Sequence, residues 1–139
     1  MSRKHLLLLA AAVTDATFQR TRVDGQVAWV GKCLHCGRKL VVRDDGRAMG
    51  QATLEHVWPQ SQGGSDAVEN LAVACNGCNR EKGTRHDHGK NHGKTASRLD
   101  EVARVLRERR RERWRDPASV GMATRLAPVM SGPDVPPVE

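Results

Sequence analysis

All four cysteines of the chain lie in two Cys-x-x-Cys pairs, Cys33 with Cys36 and Cys75 with Cys78. Each pair can present two thiolates to one metal ion, and two such pairs complete a tetrahedral four-cysteine zinc site. A metal bound in this way joins the two ends of the segment between the pairs. The pattern therefore predicts a structural Zn2+ ion with these four cysteines as its ligands.

The alternative for the cysteines is two disulfides, for which three pairings exist. Cysteines so close in sequence rarely bridge each other without strain. The chain also has one Phe, no Tyr and three Trp, which is little apolar material for a core. Structural zinc can supply folding free energy on the order of 10 kcal/mol, so it suits such a chain. Zinc-type spacing further predicts a reducing compartment and a cytoplasmic location.

The chain is strongly basic, with a net charge of +7, and 17 of its 23 basic residues are Arg. Arg makes bidentate and weakly hydrated contacts to phosphate, so this excess favours a polyanionic partner. The alternative is that the charge serves solubility alone.

An apolar run from Leu6 to Val13 follows Arg3, Lys4 and His5 and superficially resembles a signal peptide. The run is far shorter than a membrane span, so we predict no transmembrane segment. We interpret it as a short helix from Arg3 to about Gln19 that packs on the domain. A secretory signal is the alternative.

The middle of the chain alternates strand and turn patterns. The segment from Lys39 to Arg43 has a β-branched pair at its centre, which is typical of a strand, and a turn signal follows it. Pro59 ends a second strand pattern. The predicted elements are a turn and strand over Val23 to Val30, a strand over Lys39 to Arg43, its partner strand over Ala52 to Val57, a loop over Gln60 to Asp66, and a short helix from about Asn76 to Gly83.

Farther along, Ser97 can cap a helix that runs to about Arg115. Four arginines share one face of it at helical spacing, and they are Arg104, Arg107, Arg111 and Arg115. A solvated face is the alternative to DNA contact, since acidic residues partly compensate the charge. From Pro117 onward the chain is rich in Pro and Gly without periodicity, which predicts a mobile tail.

Several separated elements together resemble the HNH endonucleases, in the branch where two Cys-x-x-Cys pairs bind structural zinc. They are Glu55-His56-Val57-Trp58-Pro59, Gly63-Gly64, Asn70-Leu71, Cys75-Asn76-Gly77-Cys78-Asn79 and Lys82-Gly83. The resemblance covers roughly Lys32 to Gly83. It implies an α+β fold with a small ββα-metal (His-Me finger) core that the four-cysteine site closes. The N- and C-terminal helices predicted from the sequence pattern would flank this core.

The residue chemistry agrees with phosphodiester hydrolysis, which needs a base for water and a cation for the developing charge. His56 has an acidic neighbour and a predicted strand end, and its neutral imidazole can accept a proton. Glu55 and Asn79 offer oxygen ligands, which suit Mg2+ or Mn2+.

The resemblance assigns the roles more closely. It implies that Glu55 and Asn79 bind the catalytic ion and that Asn70 holds the loop and orients His56. Two positions depart from the family pattern: Asn79 replaces the last His, which weakens preference for softer ions, and Glu55 stands for Asp, so its reach differs by one methylene.

Each assignment has a structural alternative. Glu55 can orient His56 or face solvent, and Asn79 can cap the helix, although Asn76 is the preferred cap. His35 can replace a cysteine as a zinc ligand. Lys82 is either a phosphate contact or a surface lysine, and Trp58 packs on the loop or stacks on a base. The loop with His86, His88 and His92 binds a second metal or is simply solvated.

We divide the chain into an N-terminal helical extension (1–22), a zinc-closed nuclease domain (23–96), a basic helix (97–116) and a tail (117–139). The expected function is metal-dependent hydrolysis or nicking of DNA. By family analogy, such a protein is encoded by a phage or mobile element and can act beside a packaging terminase. The alternatives are a non-catalytic zinc module that binds nucleic acid and a subunit that docks a protein partner. The sequence leaves the oligomeric state open.

Overall fold

A computed structural model describes residues 1–83 and 94–130, with the side chains of 94–97 left out. It contains two antiparallel sheets and four α-helices. In chain order the elements are α1 (Arg3–Val13), β1 (Gln19–Val23), β2 (Gln26–Lys32), β3 (Lys39–Arg43), β4 (Ala48–Met49), β5 (Ala52–His56), β6 (Leu71–Cys75), α2 (Asn76–Lys82), α3 (Lys94–Glu112) and α4 (Ala123–Met130).

Helix α1 is the centre of the larger apolar cluster. The Ser2 side chain caps it by accepting a hydrogen bond from the His5 N–H, and residues 7–13 are buried on every side. Leu and Ala side chains therefore form much of the core, although the chain has few aromatic residues. The helix ends at Val13, so the prediction of a helix to Gln19 was wrong: Gln19–Val23 is the edge strand β1.

Strands β1 to β4 form one sheet in sequential order. Asp24 and Gly25 both have positive φ and make the tight turn between β1 and β2. The bounds predicted for Lys39–Arg43 are confirmed. Its expected pairing with Ala52–His56 was wrong, because β3 pairs with β2 and with the short strand β4. The turn after β3 returns the chain to the same sheet before β5 begins.

Strand β5 pairs instead with β6, and helix α2 follows β6 directly, which gives the expected ββα unit. The register places His56 opposite Leu71 and Ala52 opposite Cys75. Residues 71–75 are buried throughout, and the sequence pattern predicts no strand over them. A fully buried strand carries no alternation of polar and apolar residues, so its pattern is hard to detect.

Helix α3 is held to the ββα unit by a buried arginine. Arg110 is only 2% exposed and donates to the carbonyls of Leu71 and Thr14, while its guanidinium lies over the Trp114 ring. Burial lowers the pKa of Arg110 to about 10, so the group stays charged at neutral pH. The first part of the expected tail is ordered: α4 buries Leu126 and Val129 against α1.

The mobile-tail prediction was therefore wrong for residues 117–130, and residues 131–139 lie outside the described part. The one-turn spacing of Met122 and Leu126 was the missed signal, which the Pro and Gly content obscured. The predicted cap Ser97 also falls where side chains are not described. Within the described ranges, no helix is long and apolar enough to cross a membrane.

Candidate active site and metal centre

The four cysteines converge on one point. In the described part of the chain they form no disulfide, and their Sγ atoms all lie within 4.8 Å of one another. A tetrahedral zinc ion with bonds near 2.3 Å places its sulfurs about 3.8 Å apart. The Sγ atoms of Cys36 and Cys75 are 3.9 Å apart, and the donor set fits a tetrahedral metal ion after side-chain shifts of about 1 Å or less.

Hydrogen bonds prepare the sulfurs to act as thiolates. The Sγ of Cys33 accepts from the backbone N–H groups of His35 and Cys75, at 3.4 and 3.3 Å. A hydrogen bond from the Arg38 backbone lowers the pKa of the Cys36 thiol to about 7. Burial raises the pKa of Cys78. A bound divalent cation overrides that effect, because a coordinating thiol loses its proton.

Arg109, in the last turn of α3, and Arg113, just beyond the end of that helix, fix the first cysteine pair from behind. Arg109 and Arg113, one turn apart, donate to the successive carbonyls of residues 32–35 at distances between 2.7 and 3.4 Å. These carbonyls lie at the end of β2 and in the turn that holds Cys33 and Cys36. Helix α3 thus supports the metal centre.

His56 ends strand β5 and is held by a carboxylate that sequence reasoning missed. Its Nε2 lies 2.7 Å from Oδ1 of Asp66, and the imidazole is 17% exposed. A carboxylate can only accept, so Nε2 carries the proton and Nδ1 the lone pair. No hydrogen bond to Nδ1 occurs within residues 1–83 and 94–130, so this nitrogen can act as a base.

Asn70 fixes the loop between β5 and β6 from inside. Its Oδ1 accepts from the Trp58 N–H at 2.8 Å, and its Nδ2 donates to the carbonyls of Trp58 and Ser65. The Asn70 carbonyl also accepts from Val57 N–H. The imidazole of His56 is therefore oriented by Asp66, while Asn70 holds the backbone that follows it.

The loop needs both of its central glycines. Gly63 has φ of +88°, a conformation that favours glycine. A Cβ on Gly64 would lie 1.7 Å from the carbonyl oxygen of Trp58, so a side chain cannot fit there. Trp58 packs on the smaller apolar cluster and donates to the Gln62 carbonyl, as expected for a packing residue. The tight backbone of this loop therefore places Asp66 next to His56.

Glu55 points the opposite way from His56, as adjacent strand residues do. It is only 1% exposed, and its Oε1 lies 2.5 Å from Nε2 of His35. Its Oε2 has no hydrogen-bond partner in the described part of the structure. The alternative in which Glu55 faces solvent or orients His56 is thus wrong, because its contacts lie elsewhere.

Lys82 is neither a surface lysine nor placed to meet DNA, which corrects both interpretations. It is 3% exposed, and its Nζ donates to the His56 carbonyl at 3.1 Å. The same Nζ lies 3.6 Å from the free Oε2 of Glu55. Charge neutralisation of a buried carboxylate explains why this lysine lies inside.

Asn79 lies one turn before Lys82 and faces strand β5. Its Nδ2 donates to Thr53 Oγ1 and to the Leu54 carbonyl, each at 3.1 Å. It does not cap the helix. The expected cap Asn76 was also wrong, because Cys75 is the N-cap and its sulfur accepts from the Cys78 N–H. The metal ligand and the helix cap are thus one residue.

The donors around Glu55 fit a divalent cation. A buried carboxylate oxygen without a hydrogen-bond donor is costly and gains most from a cation. Glu55 and Asn79 offer oxygens and His35 a nitrogen, a set that hard and borderline divalent ions accept. The ammonium of Lys82 lies beside the free oxygen, so binding of the ion requires this flexible side chain to move.

The arginines from Arg98 to Arg115, in α3 and just after it, divide into two groups, which weakens the charge argument for DNA contact. Four donate to main-chain carbonyls, and they are Arg109, Arg110, Arg113 and Arg115. The other four are exposed, namely Arg98, Arg104, Arg107 and Arg111. Four acids are exposed on the same stretch, namely Asp100, Glu101, Glu108 and Glu112. The outward charge of this stretch is balanced.

Arg115 leaves the expected stripe altogether. Its guanidinium donates to the carbonyls of Val13 and Phe18 and lies over the Trp29 ring. Burial lowers the pKa of Arg115. Its assignment to DNA contact was wrong, since the side chain closes the chain segment after α1. The loop with His86, His88 and His92 lies outside the described residues.

Comparison with known proteins agrees with this geometry. Residues 33–85 match the family model described as HNH endonuclease. This range begins at the first zinc-type cysteine and contains β5, β6 and α2 with all the residues around Glu55 and His56. No curated protein and no solved structure gives a significant match.

Proposed function

We propose, from the match of residues 33–85 to the HNH endonuclease family model, that the chain hydrolyses DNA phosphodiester bonds with the help of a divalent ion. The observation that carries the proposal is the His56 imidazole, which Asp66 holds through Nε2 while no described residue forms a hydrogen bond to Nδ1. It lies at the end of the strand that also carries the buried Glu55.

His56 acts as the general base. Its Nδ1 takes a proton from water, and the water oxygen then forms a bond to phosphorus while one phosphorus–oxygen ester bond breaks. The leaving alkoxide takes a proton from solvent. The imidazolium that forms is stabilised by the Asp66 carboxylate at 2.7 Å.

Glu55 and Asn79 hold the catalytic ion, Mg2+ or Mn2+. An ion held by these residues would supply positive charge to stabilise the charge that develops on the phosphate and on the leaving oxygen. Glu55 offers its Oε2, which accepts no hydrogen bond among the described residues and lies 3.6 Å from Lys82 Nζ. Asn79 offers its Oδ1, since its Nδ2 donates to Thr53 and Leu54. The role of Lys82 is to balance the Glu55 charge until the ion arrives.

Zinc in the four-cysteine centre keeps this arrangement in place. Cys75 is at once a zinc ligand, the last residue of β6 and the N-cap of α2. Zinc therefore fixes the helix that carries Asn79 and Lys82 relative to the strand that carries Glu55. Its role is structural, since the four thiolates leave no open position for substrate.

We propose DNA as the substrate because the chain is basic. Basic side chains can bind the phosphates of the DNA backbone without recognising a base sequence. Arg104, Arg107 and Arg111 are exposed on α3 and are the proposed backbone contacts of that helix. The balancing acids on the helix limit this contact, so α3 adds to an interface formed mainly by the ββα unit. A phage or mobile-element origin and a terminase partner remain proposals by family analogy.

The competing function is a zinc module that binds nucleic acid without cleaving it. One labelled duplex distinguishes the two when binding and hydrolysis are followed together, first in the zinc-loaded protein and then after adding Mn2+. The nuclease account requires hydrolysis to begin with Mn2+. Binding with no hydrolysis under either condition would favour the binding module.

A further inference from the structure

His35 lies inside the first cysteine pair, yet its side chain points away from the four sulfurs. Its Nε2 is 2.5 Å from Glu55 Oε1, and the imidazole is 18% exposed. The expectation that it could replace a cysteine as zinc ligand is therefore not met, because all four cysteines already converge without it.

We propose that His35 is a further protein ligand of the catalytic divalent ion, beside Glu55 and Asn79. The inference rests on the proposed function, since it concerns the same ion, and it names a ligand from outside the ββα unit. Position 79 holds an amide where a second imidazole would make the site softer. His35 would supply, from the segment that carries the first cysteine pair, the nitrogen ligand that Asn79 does not provide.

Two observations carry the proposal. The first is the short distance between His35 Nε2 and Glu55 Oε1, which is 2.5 Å. Two cis donors on an octahedral ion with bonds near 2.1 Å lie about 3 Å apart, so these two atoms would need to separate only slightly to bind one ion. The second is the 1% exposed Glu55, whose Oε2 has no hydrogen-bond partner among the described residues. The Lys82 ammonium lies 3.6 Å from Oε2, so an ion bound by His35 Nε2 and the Glu55 carboxylate would take over the charge that Lys82 balances.

The position of His35 is fixed on both sides. Its backbone N–H donates to the zinc-site sulfur of Cys33 at 3.4 Å, and its carbonyl accepts from Arg109 at 3.1 Å. The imidazole is therefore carried on a segment that zinc and α3 hold rigid. The proposal thus links occupancy of the zinc site to the affinity of the catalytic site for its ion.

The test is metal binding and electron spin echo spectroscopy on the full chain, loaded with zinc and then with one equivalent of Mn2+. The variants are His35→Gln, Glu55→Gln and His56→Ala. Loss of an outer partner of a metal ligand already costs about 10- to 100-fold in affinity. We expect His35→Gln to weaken Mn2+ binding by at least about tenfold and to remove the nitrogen-14 coupling from the Mn2+ signal. His56→Ala should retain the coupling.

Three other outcomes are informative. Nitrogen coupling that persists in His35→Gln would overturn the proposal. Its absence from the unmodified protein, with Mn2+ still lost in Glu55→Gln, would also overturn it, because His35 would then only donate to Glu55; the proposed nuclease site would stand. Unchanged Mn2+ affinity in Glu55→Gln would overturn both this ligand set and the ion site of the proposed function.

A second variant guards against loss of structure. His35→Asn shortens the side chain but keeps a polar group in the cysteine-pair turn. Zinc stoichiometry and circular dichroism of both variants should match those of the unmodified chain. Loss of nitrogen coupling in a variant that keeps its zinc then reports on the ligand and not on folding.

Discussion

Asp66 Oδ1 lies 2.7 Å from Nε2 of His56, across the loop that joins β5 to β6. The contact places the imidazole proton on Nε2 and leaves the Nδ1 lone pair to accept a proton from water. Gln60 adds a longer contact to the same carboxylate oxygen, at 3.4 Å. The loop therefore determines which ring nitrogen of His56 is basic.

Replacing Asp66 by Asn should keep the loop but remove the carboxylate that selects this tautomer. We expect the cleavage rate to fall by at least about tenfold, since a positioned general base contributes about 10²- to 10⁴-fold. Nitrogen-15 shifts of His56 should change from one tautomer to a mixture. Gln60→Ala is the matched control. Full activity with an unchanged tautomer in the Asp66 variant would exclude this role.

Lys82→Met should expose the competition between the lysine ammonium and the divalent ion. Removing one partner of a buried ion pair costs about 3–5 kcal/mol, so without the ion the variant should melt well below the unmodified chain. Mn2+ should then raise the melting temperature of the variant more than that of the unmodified chain. Scanning calorimetry with and without Mn2+ checks this. A smaller Mn2+ effect in the variant would mean that Lys82 does not compete for the site.

Removing zinc should unfold the chain. Structural zinc supplies on the order of 10 kcal/mol, comparable with the whole stability of a domain of this size. A strong chelator should therefore abolish the cooperative thermal transition, and Cys75→Ser should behave in the same way. Ser61→Ala is a control outside the metal centre. Circular dichroism that stays unchanged after stoichiometric loss of zinc would contradict the four-cysteine site.

Replacing Arg104, Arg107 and Arg111 together by Gln tests whether α3 contacts DNA. Each lost phosphate contact should lower the salt slope of binding by about 0.9, so the triple variant should lose about 2 to 3. The matched control replaces Arg22 and Lys39, which are exposed on the four-stranded sheet, and Arg47, which is exposed in the turn before β4. If both triple variants show the unmodified slope, α3 lies outside the interface.

Much of the zinc centre and the short helix after it could be predicted, because ligand spacing and helix signals are local in sequence. Strand β6 could not, since a strand buried on both faces shows no alternation. Helix α4 was hidden by Pro128 and Gly121, which resemble a tail although one apolar face is present.

The contacts of Asp66, His35 and Lys82 could not be predicted from the sequence for another reason. Each reaches its partner across a loop or between elements that are distant in the chain, and composition does not report such contacts. The arginines of α3 show the same limit. Helical spacing indicated a stripe, but only packing shows that Arg109 and Arg113 bind carbonyls of the zinc-binding turn.

Nicking of a supercoiled plasmid tests the central claim most directly. The zinc-loaded chain, His56→Ala and the control variant His5→Ala would be compared with and without Mn2+. We predict nicking that requires Mn2+, disappears in His56→Ala and persists in His5→Ala. Equal nicking by His56→Ala would contradict the assignment of His56 as the base, and no nicking by the unmodified chain that binds the plasmid would contradict the nuclease function itself.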